Sequence, residues 1–246
     1  MPNFRFTLEY DGTDFAGWQA QAHGQRTVQD AFEAAIERVT GQRLRVAASG
    51  RTDAGVHALG QVVSAQIETQ LPPAALQRAL NQTLPPDLAV VSAERAADDF
   101  HARYSATGKL YCYRVWNAPT RSPLHAARAH WVSRELDLPA MAEAAEAFVG
   151  RHDFAALQAA GSEVENTLRT LRRVEIEREP SGELVFWIEG DGFLRHMVRN
   201  LVVTLLEVGS GQRSIESMGE LLASEDRRRA GPTAPARALT LVRVFY

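Results

Sequence analysis

A chain of 246 residues, 45% hydrophobic and 23% charged, can bury a sizeable core and has the make-up of a globular protein, not of a disordered or fibrous one. A single cysteine, Cys112, excludes an internal disulfide and any zinc site built on paired cysteines, and no apolar run approaches the roughly 18 residues of a membrane span. With a net charge of −3, binding to nucleic acid would need a local cluster of cations.

Phe4, Phe6, Leu8 and Tyr10 alternate with Arg5, Thr7 and Glu9, which predicts a half-buried strand. The charged-then-apolar layout of a signal peptide is missing there, so the expected compartment is the cytoplasm. The loop 11–19 carries Phe15 and Trp18, which either stack on bases or tuck beneath the loop as a satellite core. Thr27 reads as an N-cap, Val28, Phe32, Ala35, Ile36 and Val39 recur at helical spacing, and Gly41 supplies the stop. Residues 43–49 and 60–67 read as strands on either side of the turn Gly50-Arg51-Thr52-Asp53-Ala54-Gly55-Val56-His57. Pro72 and Pro73 open a second helix that Pro85 and Pro86 end, and Leu88, Val90 and Ser92 begin another strand. The order β-α-β-β-α-β is that of ferredoxin-like folds and of RNA-recognition modules.

Residues 98–105 cross into a second half, which gives expected domains of 1–103 and 104–246. A strand around Leu110 to Val115 puts Tyr111 and Tyr113 on one face. A short strand at Trp131 and Val132, a helix over 139–148 and a hairpin of 170–178 with 183–190 around Pro180-Ser181-Gly182 follow. A long helix is predicted from Phe193 to about Val208, with Leu194, Met197, Val198, Leu201, Val202 and Leu205 buried. Arg195, His196, Arg199 and Asn200 would fall in its first two turns. A helix over 215–222, a loop with Arg227, Arg228 and Arg229, and a strand over 239–245 complete an α+β architecture of two similar halves with mostly antiparallel sheets.

Two places stand out for chemistry. Asp53 sits in a glycine-bounded turn between strands, with Arg51 two residues before it. Such a carboxylate either closes an Asx-turn on its own backbone or faces a cleft as a catalytic group. The cluster at the start of the long helix combines cations with backbone N–H groups that favour anions. There is no phosphate-binding loop, dinucleotide fingerprint or Gly-x-Ser-x-Gly elbow. His57 and His101 are not paired with carboxylates at ligand spacing, so no metal site is expected. Asp53 is left as the candidate reactive group.

The 50–58 stretch followed by Gln61-Val62 resembles the signature of the TruA-type tRNA pseudouridine synthase family. Similar stretches follow in order: Tyr10-Asp11-Gly12 through Gly17-Trp18-Gln19, Asp99-Phe100-His101-Ala102-Arg103, Phe193-Leu194-Arg195-His196-Met197-Val198-Arg199-Asn200, and Gly231-Pro232-Thr233-Ala234-Pro235-Ala236. One departure is Arg237-Ala238-Leu239, where the resemblance calls for a glycine before the leucine. The resemblance implies isomerisation of uridine to pseudouridine at positions 38, 39 and 40 of the tRNA anticodon stem-loop, by base flipping and without cofactor or metal. It implies two ferredoxin-like halves flanking a basic cleft, a homodimer and a tRNA partner. Asp53 matches the catalytic aspartate, Tyr111 the active-site tyrosine and Arg199 the arginine that pairs with the aspartate. Arg51, His57, Arg195, His196 and Asn200 are the candidate contacts to RNA. A catalytically silent RNA-binding protein is the alternative; an aspartate-dependent hydrolase lacks a second carboxylate in any comparable motif.

Overall fold

The computed structural model describes residues 1–20, 24–162 and 164–246. The chain groups into two compact units, Met1–Thr107 with Thr240–Tyr246, and Gly108–Leu239. The fold is α+β with mostly antiparallel strands, as the sequence leads one to expect.

The first unit contains β1 (Asn3–Tyr10), α1 (Val28–Thr40), β2 (Ala47–Ala48), β3 (His57–Gln66), α2 (Pro73–Thr83), β4 (Leu88–Arg95) and the greater part of β10 (Leu239–Phe245). β1 lies between β3 and β4, antiparallel to both, and β2 pairs antiparallel with β3 at Ser64 and Val63. β10 joins β3 in parallel, Thr240 opposite His57 and Leu241 opposite Ala58. The period-two pattern of β1 buries Phe4, Phe6 and Leu8 completely, and the Phe6 ring meets Phe32 of α1 edge-on at 5.4 Å. Burying each such side chain contributes about 2–3 kcal/mol. α1 begins where Thr27 accepts the Asp30 N–H and ends at Gly41, whose φ of 73° a side chain would resist.

The expected strand over 43–49 shrinks to Ala47–Ala48. Glu33 of α1 explains the loss. Its carboxylate accepts the Val46 N–H at 3.1 Å and pairs with Arg45 at 2.9 Å, using a backbone donor that a ladder would need. β3 in turn starts at His57, three residues earlier than its pattern indicates, because the exposed Leu59 interrupts the alternation.

The second unit contains β5 (Gly108–Asn117), β6 (His130–Val132), α3 (Leu138–Glu146), β7 (Gly150–Asp153), β8 (Leu168–Arg178), β9 (Glu183–Gly190), α4 (Met197–Gly209) and α5 (Ser217–Ser224). β9 lies between β5 and β8, antiparallel to both; β7 extends the far side and β6 adds in parallel to β5. The succession β5-α3-β8-β9-α4 repeats β1-α1-β2-β3-α2 of the first unit, with β6 and β7 as additions. Tyr113, Val115, Phe186 and Ile188 from the sheet and Leu201, Val202 and Leu205 from α4 are fully buried.

The long helix starts at Met197, not Phe193. His196 has φ 64° and ψ −1°, a left-handed conformation that cannot continue a right-handed helix. Arg195 and His196 therefore lie in the turn before α4, and only Arg199 and Asn200 belong to its first turn. Among the described residues no helix is long and apolar enough to cross a membrane.

Candidate active site

The Asp53 turn is held from below by a neighbouring loop. Trp18 N–H donates to Thr52 O at 3.0 Å, Gly55 N–H to Phe15 O at 3.3 Å, and Val56 N–H closes the turn on Asp53 O at 3.1 Å. Phe15 and Trp18 are each 2% exposed, so these aromatics tuck beneath the loop and do not stack on bases. Gly17 approaches so closely that a Cβ there would lie 2.8 Å from Thr52 O, and its φ of 95° suits glycine besides. A Cβ on Gly12 would collide with the Val56 carbonyl. Gly12→Ala is expected to push loop and turn apart, costing about 2 kcal/mol of stability and so lowering Tm by roughly 4–8 °C. A melting curve superimposable on the parent's would mean that the loop yields without strain.

A buried polar network fixes the backbone just before Asp53. Tyr10 and Thr52 share a hydrogen bond of 2.8 Å between their hydroxyls. Ser49 donates to Gln61 Oε1 at 2.7 Å, and Gln61 Nε2 donates to Gly50 O at 2.9 Å. Burial pushes the Tyr10 phenol up to about 12, with hydrogen bonds to Thr52 and Gln61 pulling the other way. Groups so buried must keep their partners, which pins residues 49–52 to β1 and β3. Asp53 itself is half-buried, between buried Thr52 and exposed Ala54. Arg51 is exposed, with no carboxylate at ion-pair distance among the described residues. His57 is 4% exposed, its Nδ1 3.1 Å from the Gly12 N–H and 3.1 Å from Asp11 Oδ1, so it secures the loop.

In the second unit, Tyr111 on β5 is 8% exposed and meets the Phe193 ring edge-on at 5.1 Å. Arg199 Nε donates to Ala234 O at 2.7 Å, and the Tyr113 hydroxyl donates to Pro235 O at 3.0 Å. Burial raises the Tyr113 phenol, opposed by the positive charges of Arg199 and Arg237. Asn200 is fully buried: its amide donates to Leu157 O at 2.8 Å, and its Oδ1 accepts from Thr233 at 2.8 Å and Arg227 at 3.1 Å. Arg227 also reaches the carbonyls of Ala230 and Gly231, so the 230–235 segment is tied to α4. Arg195 and His196 line a cavity of about 420 Å³ with Arg227, Arg228, Pro232 and Thr233. Ala238 stands where the resemblance calls for glycine. It is buried in a 3₁₀ turn and is not among the positive-φ residues, so glycine is not required.

The structure thus places Arg51, Asp53 and His57 in one segment of the first unit, and Tyr111, Arg195, His196, Arg199 and Asn200 in the second. Sequence reasoning missed the supports Ser49, Thr52 and Arg227. Gln61 left a readable trace, a polar residue at an inward position of an apolar strand.

Known proteins resemble this chain over its whole length. The family model described as tRNA pseudouridine synthase matches residues 7–105 and 144–246. The chain is 47% identical to tRNA pseudouridine synthase A of Myxococcus xanthus, covering 100% of this chain and 92% of that protein. It is 43% identical to the protein of that name from Acetivibrio thermocellus, covering 100% of both chains. A solved H/ACA RNP bound to a substrate RNA containing 2'-deoxyuridine is 10% identical, with a TM-score of 0.35, over 83% of this chain and 53% of that one, a likeness too slight to bear on the fold. The class is therefore that of RNA-modifying isomerases. The chain belongs to the tRNA pseudouridine synthase family.

Proposed function

We propose that the protein isomerises uridine to pseudouridine at positions 38, 39 and 40 of the tRNA anticodon stem-loop, with Asp53 as the catalytic carboxylate. The observation that carries this reading is the Asp53 turn, fixed from Tyr10, Phe15, Trp18 and Gln61. In the reaction the bond from N1 to the ribose carbon breaks, the uracil rotates, and carbon 5 bonds to the ribose in its place. The carbon 5 proton leaves and N1 gains one, so the change is redox-neutral. The uridine must leave its stack for any side chain to reach it.

Asp53 serves as nucleophile or base. Arg199 is the cation this reading assigns to the carboxylate, its planar group oriented in advance by the bond to Ala234. Tyr111 stacks on the detached base and its phenol takes the carbon 5 proton. Exposed Arg51 and Arg195 meet phosphates, with His196 beside the latter. Buried His57 and Asn200 act through the segments they hold. A homodimer and a cytoplasmic location belong to the same reading.

The test uses unmodified tRNA carrying tritium on uridine carbon 5. The expected result is tritium release matched by pseudouridine in the product. Tight tRNA binding without release would leave an RNA-binding protein in place of an isomerase.

A further inference from the structure

The turn that follows Phe100 displays an aromatic ring in an unusual way. Tyr104 is 78% exposed, more than any other aromatic residue described as exposed. Such a ring on a flexible loop would carry little meaning, but this one is braced. The His101 ring lies 4.4 Å from it at 31°, and His101 Nδ1 accepts the N–H groups of both Arg103 (3.1 Å) and Tyr104 (3.3 Å). An Nδ1 that accepts leaves the ring proton on Nε2. Ser105 closes the turn twice, its N–H donating to His101 O at 2.9 Å and its hydroxyl accepting the His101 N–H at 3.1 Å.

The turn is also anchored in the core of the first unit. Ala102 is fully buried; its N–H donates to Ser64 Oγ at 3.1 Å and its carbonyl accepts the Tyr246 hydroxyl at 2.8 Å. Phe100 packs on Tyr246 at 5.0 Å, and the Arg5 guanidinium lies 4.6 Å above that tyrosine. The backbone that carries the Tyr104 ring is thus ordered during folding, before any ligand arrives. Beside the ring sits Arg103, exposed, its guanidinium 5.7 Å from the ring centre and with no carboxylate at ion-pair distance among the described residues. A solvent-facing aromatic on a braced turn, next to an uncompensated guanidinium, has the chemistry that holds unstacked bases of single-stranded RNA.

We propose that Tyr104 is a stacking platform for an unpaired base of the tRNA substrate, with Arg103 taking a neighbouring phosphate. This rests on tRNA being the substrate, and neither residue belongs to the catalytic set above.

The test measures affinity for unmodified tRNA against salt concentration, for the parent and for Tyr104→Phe, Tyr104→Ala and Arg103→Gln, with tritium release followed in parallel. Tyr104→Phe keeps the ring and is expected to bind within twofold of the parent. Tyr104→Ala should bind about 5- to 150-fold more weakly, the range for one lost base–aromatic stack, with an unchanged salt slope. Arg103→Gln should lower the slope by roughly 0.7–0.9, one phosphate's worth of counterions. Parental affinity in Tyr104→Ala would overturn the platform. So would an equal loss in Tyr104→Phe, which would indicate a phenol hydrogen bond. A changed oligomeric state in Tyr104→Ala would assign the ring to a contact between copies. An unchanged slope in Arg103→Gln would overturn the phosphate contact. Should the parent bind tRNA yet release no tritium, the isomerase reading fails while the binding series still decides the platform.

Discussion

Asp53→Asn protein is expected to fold, to bind tRNA and to form no pseudouridine, a loss of about 10⁴-fold or more. The amide keeps the shape of the side chain but cannot act as nucleophile or base. The turn around it is held by backbone bonds from Trp18, Gly55 and Val56, none of which passes through the carboxylate. Stability should therefore stay within about 1 kcal/mol, a Tm change of roughly 2–4 °C. Melting, tRNA affinity and single-turnover tritium release measure the three parts separately. Deamidation would restore the aspartate, so mass spectrometry must show the preparation to be clean. Turnover by such a preparation would remove Asp53 from the mechanism.

Tyr111→Phe is expected to slow the chemical step by roughly 100-fold while leaving tRNA affinity unchanged. The ring stays on β5 with its edge-on contact to Phe193, so stacking and packing survive and only the phenol is lost. A rate within threefold of the parent would reduce Tyr111 to a packing role. Because this substitution spares the fold, the comparison of rate with affinity isolates proton removal from base positioning.

What could be read from the sequence was whatever is encoded locally. Both ends of α1 were legible, since Thr27 and Gly41 act on backbone within a few residues. The Asp53 turn was legible because its residues are contiguous. Residues 43–46 were misread because Glu33, ten or more positions earlier, takes the Val46 donor. The start of α4 was misread because hydrophobic spacing continues through Leu194 while His196 turns left-handed. β7 passed unnoticed, four residues with no apolar alternation. What braces the candidate site was the least visible part. The Tyr10–Thr52 bond spans 42 positions, and no local pattern distinguishes a tyrosine that bonds a remote threonine from one that fills a core.

The return of β10 to the first unit bears on how the protein is made. The ribosome delivers β1 to β4 first, yet β3 receives its parallel partner only after all of Gly108–Leu239 has been synthesised. The strand leading out of the Asp53 turn thus waits with part of its edge open, and so does Ala102, whose carbonyl partner is Tyr246. A growing chain usually folds its N-terminal domain first. Here the leading domain is interrupted, and the segment that completes it is made only after the second unit. Nascent chains stalled before residue 240 would carry an exposed strand edge beside the very turn on which activity is proposed to depend, a state open to holding chaperones and to pairing with the wrong strand.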